Sequence, residues 1–421
     1  MQKKMIVRAV AAIAGLGLIG GAGASGFQLL EQNGSGLGNA YAGSAVVGEN
    51  ASTVFYNPAA MTKLAGGNIS SGLAIIKPSY KFNDSGSSNG TAAAGSSGGD
   101  AGGWAALPNL YATWQLSEKW FAGIGVGSPF GLKTEYTNDW VGRFQSQLFD
   151  VKTYNVNPSL AVKATEALSF GVGLNYQRAE VLYKRQRATA TATTQATSVT
   201  LDETGEAYGW NAGATFKLSS TTDVGFSYRS KVFHRLEGTL LTETPAGSVS
   251  VLTKTDITLP DTYILSVSQK LDERWVMLGD VSRTNWSSID KVPIVVNSGA
   301  SSGVVAQTLD TRFRDTWRFA LGGTYKIDDN WKWKYGLAYD QSPVRSAEER
   351  LVSLPDNNRY WLSTGLQWNI DKTSVLDIGM AYLYIPETKI DANQSSTYQG
   401  HIVGDYDGSI FIFGAQLTKS F

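Results

Sequence analysis

The segment WKWKYGLAYD, residues 331–340, alternates strictly between two kinds of side chain. Trp331, Trp333, Tyr335, Leu337 and Tyr339 take the odd positions, whereas lysine, glycine, alanine and aspartate take the even positions. A period of two is typical of a β-strand, whose successive side chains point to opposite faces. One face of this strand is therefore apolar and largely aromatic, and the fold depends on whether that face points into the protein or out of it.

The same alternation recurs in segments of about ten residues, which are separated by turn-like clusters or by long polar stretches. These segments predict fourteen strands, near 68–78, 107–116, 120–134, 150–163, 168–184, 206–218, 223–238, 260–270, 274–287, 312–327, 331–342, 359–369, 374–384 and 409–421. Strands of this length with period-two alternation predict an all-β protein.

Three features favour a membrane barrel. Aromatic residues gather at strand ends, short turns alternate with long loops, and the last alternating strand ends in Phe421. In outer-membrane barrels the apolar side chains face lipid and the polar ones face the lumen, and closure pairs every backbone group. We therefore predict a transmembrane antiparallel β-barrel of about 14 strands over residues 67–421, with its apolar face in lipid. A secreted β-sandwich or β-helix is the alternative, which the unbroken run of long alternating strands disfavours.

The N-terminus has the features of an export signal. Lys3, Lys4 and Arg8 precede an apolar run at 9–20 and an A-x-A cleavage pattern at 22–24. This order predicts a secretory signal peptide over residues 1–24. Downstream, no apolar run approaches the roughly 18 to 20 residues of a transmembrane helix. We therefore expect a protein of the outer membrane of a Gram-negative bacterium.

The composition excludes several classes of function. The formal net charge is zero, which argues against a nucleic-acid partner. The chain has no cysteine and only two histidines, so it offers no thiolate chemistry and little for a histidine-based metal site. We expect no cofactor and no metal.

Residues 25–66 do not alternate, and they form a stretch of small, mildly apolar residues with short helical patterns. Pro58 follows Asn57 as the first position of one predicted helix. A barrel of about fourteen strands leaves a lumen that its own side chains do not fill. We predict that residues 25–66 form a helical hatch inside that lumen; a periplasmic extension is the alternative.

The mature start SGFQLLEQNGSGLGNAYAG, followed by NASTVFYNPAAMT, resembles the hatch of the FadL family of outer-membrane transporters. The resemblance extends to VGSPFGLKTEY, WRFALGGTYKIDDNWKWKYGLAYDQSPV, LPDNNRYWLSTGL and the final phenylalanine, in matching order. It implies a fourteen-stranded barrel with a hatch and a cargo of long-chain fatty acids or related hydrophobic compounds. It also implies a kink in the third strand, through which ligands leave sideways into the membrane.

Pro129 lies inside the third predicted strand, followed by Phe130 and Gly131. Proline cannot donate to a sheet ladder, so Pro129 predicts either an inward kink in the wall or a strand that ends at a loop. The residues alone leave both open, and the resemblance favours the kink. It also implies that Asn57, Pro58 and Ala59 lie against this kink.

The resemblance also indicates a ligand site. Phe27, Leu29 and Leu30 are the predicted hatch-side lining, and Arg314 is the candidate partner of a cargo carboxylate. The parity of Arg312, Arg314 and Arg318, opposite Phe313, predicts that these arginines face the lumen. An internal salt-bridge ladder is the alternative role for Arg314. Asp356 and Arg359 are predicted to hold the hatch.

These observations predict passive uptake of long-chain fatty acids, with uptake of aromatic or other hydrocarbons by the same route as the alternative. Partners would be a hydrophobic small molecule and outer-membrane lipid, and we expect a monomer. Three G-x-S-x-G patterns, at 86–90, 95–99 and 299–303, lie in Gly/Ser loops without the strand-to-helix context of a nucleophile. We therefore predict that the protein is not an enzyme. A water-filled general porin is a third class, which the hatch disfavours.

Overall fold

The computed structural model describes residues 26–88, 95–187 and 197–421. The predicted signal peptide, 1–24, lies outside them. Nineteen β-segments form one antiparallel sheet. They are β1 (Gly67–Asp84), β2 (Ala105–Gln115), β3 (Trp120–Gly127), β4 (Gly131–Glu135), β5 (Leu148–Lys163), β6 (Leu168–Gln186), β7 (Ser198–Lys217), β8 (Thr222–Arg229), β9 (Val232–Thr244), β10 (Gly247–Leu259), β11 (Thr262–Lys270), β12 (Trp275–Thr284), β13 (Lys291–Val296), β14 (Val305–Asp310), β15 (Thr316–Lys326), β16 (Trp331–Asp340), β17 (Arg359–Asn369), β18 (Ser374–Asn393) and β19 (His401–Ser420). The sheet closes where β1 pairs with β19, from Asn68 opposite Ser420 to Asp84 opposite Gly404.

The nineteen segments make fourteen barrel strands, because five strands are interrupted. The third barrel strand is β3 with β4, and the seventh to tenth are β8 with β9, β10 with β11, β12 with β13 and β14 with β15. Both parts of an interrupted strand keep a common neighbour: β8 and β9 both pair with β7. The predicted closed barrel of about 14 strands is confirmed.

The aromatic face points outward. In β16, Trp331, Trp333 and Leu337 are exposed, whereas Lys334 and Asp340 are buried on the lumenal face. Burial alternates along the other long strands in the same way. The apolar outer face is therefore the one that lipid covers.

Several strands are longer than their alternation predicts. β18 and β19 remain paired as far as Asn393 and His401, beyond the predicted limits at 384 and 409. The segments β10, β13 and β14 are also absent from the predicted set. In the extended parts of β18 and β19 the apolar face is the inner one, since Ile390 and Ile402 are buried whereas Lys389 is exposed, and backbone pairing continues across this change.

Residues 26–66 lie inside the barrel and contain three short helices, Leu37–Asn39, Thr53–Tyr56 and Pro58–Lys63. Lumenal glycines let this hatch approach the wall closely. A Cβ added at Gly336 would lie 2.2 Å from the carbonyl carbon of Asn39, and one at Gly171 would lie 2.3 Å from the nitrogen of Ala59. The hatch therefore packs directly on the backbone of the wall.

Further short helices, Trp286–Ser288, Gly299–Ser301 and Ser395–Thr397, interrupt or connect strands. Across residues 26–88, 95–187 and 197–421, no helix is long and apolar enough to cross a membrane.

Candidate transport site

The third barrel strand is kinked at Pro129. Gly127 pairs with Asn155 of β5, and pairing with the same strand resumes where Gly131 meets Lys152. Three residues, 128–130, therefore face only two, 153 and 154, which is the geometry of a bulge. The side chain of Thr153 fills the interruption, because its Oγ1 accepts from the Phe130 nitrogen at 2.9 Å. Pro129 thus lies in a kink and not at a strand end.

The wall has a gap above this kink. Pairing between β2 and β3 ends where Leu110 meets Val126, although β2 continues up to Ala105 beside β1. Within the described residues, β4 has a ladder only with β5. In the part of the chain that the structure describes, barrel strands 2 and 3 therefore share no ladder above the kink, and they meet again where the Glu135 nitrogen at the end of β4 donates to the Ala101 carbonyl at 3.0 Å.

The start of the hatch lies against the kink. The Leu29 nitrogen donates to the Pro129 carbonyl, and the Gly131 nitrogen donates to the Phe27 carbonyl, both at 2.8 Å. The amide of Gln32 donates to the Ser128 carbonyl at 2.6 Å, and its oxygen accepts from the Ser128 nitrogen at 3.2 Å. We call residues 27–32 the latch segment.

The Asn-Pro-Ala motif lies elsewhere, which corrects the placement that the resemblance implied. The Asn57 amide donates to the carbonyls of Ala45, Ala214 and Phe226, so the motif packs against β6 to β8. The Asn57 oxygen also accepts from the Ala59 nitrogen, and Pro58 begins the helix as predicted. The motif fixes the body of the hatch, because proline starts the helix and asparagine caps it.

An apolar cavity lies between the latch segment and the upper wall. Phe27 lines it from the hatch, and Thr153, Thr255, Thr311, Glu203 and His234 are among the few polar residues in its wall. About 880 Å³ of empty space, which includes the part open to solvent, lies between its lining residues. The apolar wall includes Leu132, Phe149, Val151, Val181, Leu201, Leu236, Ile257, Leu259, Ile289, Val292, Ile294, Leu309, Phe313 and Leu354.

A group of four rings, here called the aromatic cluster, closes the lower side of this cavity. Phe27 of the hatch lies 5.0 Å from Trp286 and 5.9 Å from Phe130 of the kink, measured between ring centroids. Phe313 lies 5.9 Å from Trp286. Edge-to-face contacts of this kind add to the burial of the rings. The cluster therefore joins the latch segment to the kinked strand.

A second, polar cavity lies on the other side of the aromatic cluster. Leu29 and Leu30 line it, together with Arg229, Arg318 and Asp280. The three predicted hatch residues thus divide between two cavities, with Phe27 at the apolar one.

The predicted orientation of the arginines is correct only for Arg318. Arg318 is buried and donates to the Ala40 carbonyl of the hatch at 2.6 Å. Arg312 is exposed and pairs with Asp310, whereas Phe313, predicted to face lipid, is buried in the aromatic cluster. The parity fails because residues 311–315 lie between β14 and β15, outside any strand.

Arg314 lies apart from the apolar cavity. It is partly exposed, and its Nε donates to the Ser342 carbonyl at 3.1 Å. It is not among the residues that line either cavity described above.

Charged side chains anchor the hatch to the wall. The Lys334 Nζ lies 3.1 Å from Glu49 of the hatch and 3.0 Å from Asp377 of β18. The Lys334 ammonium lowers the pKa of Glu49 from 4.5 to about 2. Asp356, which pairs with Arg359, accepts from the Gly26 nitrogen at 3.1 Å, as expected of residues that hold the hatch.

Sequence reasoning missed Trp286, Lys334 and Glu49. Trp286 follows the end of a strand, where alternation gives no direction. The lumenal orientation of Lys334 was predictable from its parity in β16. Its partner Glu49 was not predictable, because the two residues are far apart in the sequence.

Comparison with known proteins identifies the family. A family model described as "Outer membrane protein transport protein (OMPP1/FadL/TodX)" matches residues 18–421. The chain is 27% identical to the long-chain fatty acid transport protein of Escherichia coli (strain K12), over the full length of both. It is 31% identical to outer membrane protein P1 of Haemophilus influenzae, over 86% of this chain and 87% of that protein.

Solved structures share the fold. A FadL homologue of Pseudomonas aeruginosa superimposes with a TM-score of 0.87 at 21% identity, covering 94% of this chain and all of that chain. The toluene transporter TodX of P. putida gives a TM-score of 0.72 at 17% identity, covering 92% and 98%. Because the family model spans nearly the whole chain, the protein belongs to the OMPP1/FadL/TodX family of outer-membrane transport proteins, which are transporters and not enzymes.

Proposed function

We propose that the protein mediates passive uptake of long-chain fatty acids across the outer membrane and releases them sideways at barrel strand 3. The observation that carries this proposal is an apolar cavity, bounded by Phe27, beside a gap in the wall that the latch segment occupies. The full-length similarity to long-chain fatty acid transport proteins supports the choice of cargo.

Release into the membrane suits an apolar cargo. Each Å² of apolar surface that moves from the cavity into water costs about 25 cal/mol. A cargo that passes from the cavity through the gap into lipid avoids this cost, because it remains in apolar surroundings. We propose that movement of the latch segment opens this route and that the cargo moves down its own gradient.

The residues take separate roles in this proposal. Phe27 lines the cargo cavity, Leu29 and Leu30 line the space that the latch segment closes, and Pro129, Phe130 and Gly131 form the lateral opening. We retain a hatch over residues 25–66 and a barrel over residues 67–421 that sits in outer-membrane lipid as a monomer.

The motif Asn57-Pro58-Ala59 is proposed to keep the body of the hatch in place while the latch segment moves. Binding of a cargo carboxylate by Arg314 stays a prediction. The Arg314 guanidinium donates to the Ser342 carbonyl at 3.1 Å, and Arg314 is not among the residues that line the apolar cavity.

Uptake of aromatic or other hydrocarbons is the second candidate. Among the described residues that line the apolar cavity there is no lysine or arginine, which favours a neutral cargo. A pocket without a cation has no counter-ion for a carboxylate.

Uptake by a bacterial host that lacks its own transporter tests the proposal. The host receives radiolabelled oleate and, in parallel, radiolabelled toluene, with an empty vector as the control. We expect oleate uptake well above that control. Toluene uptake without oleate uptake would move the protein to the hydrocarbon alternative, and uptake of neither would contradict the proposed cargo.

A further inference from the structure

The apolar cavity contains one acidic side chain without a partner. Glu203 is 1% exposed and lines the cavity, and neither carboxylate oxygen has a hydrogen-bond partner within 3.5 Å. The nearest donors are the hydroxyls of Thr255 and Thr253, which interact with the Glu203 carboxyl group without reaching hydrogen-bond geometry, and neither hydroxyl has another partner. Buried polar atoms are normally paired, so this group needs an explanation.

Other polar residues around the cavity are satisfied by the protein. Thr153 Oγ1 donates to the Phe130 carbonyl at 2.7 Å, and Thr311 Oγ1 donates to the carbonyls of Ile289 and Asp290. The Tyr183 hydroxyl accepts from the side-chain amide of Gln307 at 3.1 Å. Among the described residues that line the cavity, the oxygens without partners therefore belong to Glu203 and Thr255. The remaining atom without a partner is Nδ1 of His234, whose Nε2 bonds to the Gln177 side chain at 2.9 Å.

The strand register keeps Glu203 at the wall of the cavity. Along β7, Val199, Leu201 and Glu203 are buried in turn, whereas Asp202 is exposed on the outer face. Gly238 lies directly opposite Glu203 on β9, so no side chain there meets the carboxyl group. The carboxyl group thus lies near the two threonine hydroxyls, on a face of β7 that carries valine and leucine at the preceding positions.

The charge of the residues that line the apolar cavity limits which cargo head group can bind there. None of the described residues lining the cavity is a lysine or arginine, and the described ion pairs do not include Glu203. A carboxylate cargo would meet an acid and no cation. A head group with an O–H donor satisfies Glu203 in either state, since an ionised carboxyl accepts from it and a protonated one exchanges two hydrogen bonds with it.

We propose that Glu203, supported by Thr255, is the polar anchor of the cavity and binds a long-chain amphiphile through an O–H donor. The chemical class is a protonated fatty acid or a fatty alcohol. This inference rests on the proposed function and narrows its cargo to the neutral form.

Binding to the purified full-length protein tests the anchor with two ligands of equal chain length, oleyl alcohol and 1-octadecene. The quantity measured is the ratio of their affinities, so that partition into detergent cancels between variants. We expect Glu203→Leu to lower the preference for the alcohol about tenfold, because a single hydrogen bond is lost. Glu203→Gln should keep part of the preference, since its amide oxygen still accepts from the hydroxyl.

Asp202→Leu is the matched control, because it removes an acid from the neighbouring position on the outer face. It should leave the ratio within about twofold of wild type. An unchanged affinity ratio in Glu203→Leu would overturn this inference alone. It would mean that Glu203 bonds to water and not to the ligand. Failure of the wild-type protein to bind oleate or either test ligand would overturn the proposed function and this inference with it.

Discussion

The body of the hatch and the latch segment are held to the barrel by different chemistry. The body is held by ions and by side-chain amides: buried Lys334 joins the partly exposed Glu49 of the hatch to buried Asp377, and Asn39 donates to the Gly323 carbonyl at 2.6 Å. The latch segment is held by rings and by neutral hydrogen bonds, and none of its described contacts is an ion pair. The neutral bonds include two from the backbone, those of the Gln28 and Gln32 side chains, and one that the Tyr111 hydroxyl donates to the Gln32 carbonyl at 2.9 Å. Local opening follows the weakest set of contacts. The comparison indicates that the latch segment can open while the body stays fixed.

The strongest test of the anchored half is Lys334→Met. The substitution leaves Glu49 and Asp377 facing each other without their cation, and breaking a buried pair in this way costs about 3–5 kcal/mol. We expect a loss of that size in the free energy of unfolding, measured by urea denaturation of the detergent-solubilised barrel.

Lys372→Met is the control, because Lys372 is an exposed lysine in the turn between β17 and β18. It should change the unfolding free energy by less than about 0.5 kcal/mol. Equal effects from the two lysines would mean that the buried ions do not anchor the hatch.

Phe27→Ala tests the latch half. Removing a buried phenylalanine costs about 3 kcal/mol, which would raise the opening of the latch segment about a hundredfold. Hydrogen exchange at the amides of Leu29 and Gly131 measures that opening, because both amides bond across the kink. Phe319→Ala, on the outer face of β15, is the control and should leave this exchange unchanged. Exchange in Phe27→Ala at the wild-type rate would mean that the Phe27 ring does not hold the latch segment closed.

Glu31 should make latch opening depend on pH. Burial raises the pKa of Glu31 from 4.5 to about 7, although the charges of Arg359 and Arg318 oppose the rise and that of Asp340 adds to it. The pKa of Glu31 is higher in the closed state than in the open state. Its contribution to the stability of the closed latch segment is therefore complete below pH 4.5 and is lost as the pH rises through 7. Tyr41 of the hatch faces the same carboxyl group.

We therefore expect the opening equilibrium of the latch segment, from exchange corrected for intrinsic pH dependence, to be more than tenfold larger at pH 8 than at pH 5. Glu31→Gln should abolish most of that difference. The same pH dependence in Glu31→Gln would assign it to another group.

The smallest effect should come from Arg314→Ala. Its guanidinium is partly exposed and bonds to the Ser342 carbonyl outside the apolar cavity, so we expect oleate uptake to change less than about twofold. Arg312→Ala, an exposed neighbour, serves as the control. A tenfold loss confined to Arg314→Ala would restore the hypothesis that this residue binds a cargo carboxylate.

The fold was predictable from the sequence because the side chains that face lipid must be apolar on every membrane strand. Trp331, Trp333 and Leu337 lie on the outer face as their alternation predicts, and the number of strands agrees. Strand ends were less predictable, since β18 continues to Asn393 after a register shift between Ile385 and Thr388. Beyond that shift the apolar side chains of Ile390 and Ala392 are buried and Lys389 is exposed, so the apolar face is the inner one.

The site was predictable where one residue type limits the backbone. Pro129 indicated the kink because it has no N–H to donate. Phe313 was assigned to the wrong face, since a strand interruption resets parity and the sequence does not mark that interruption. Glu203 did carry a signal, because its parity with Val199 and Leu201 places an acid among apolar lumenal residues.

A reversible disulfide across the kink tests whether the latch segment must leave the gap at Pro129 during transport. Gln28 and Phe130 form an isolated antiparallel bridge, and the flanking hydrogen bonds run between Leu29 and Pro129 and between Gly131 and Phe27. The two residues are therefore a non-hydrogen-bonded pair, whose Cα separation of about 4.5 Å suits a disulfide. The chain has no cysteine of its own to interfere.

The measurement is oleate uptake by Gln28→Cys/Phe130→Cys before and after reduction, with each single cysteine variant as a control. We expect the oxidised protein to take up no oleate, because the latch segment cannot leave the gap. Reduction should restore uptake to the level of the single variants. Equal uptake by the oxidised and reduced proteins would contradict release through the opening at Pro129.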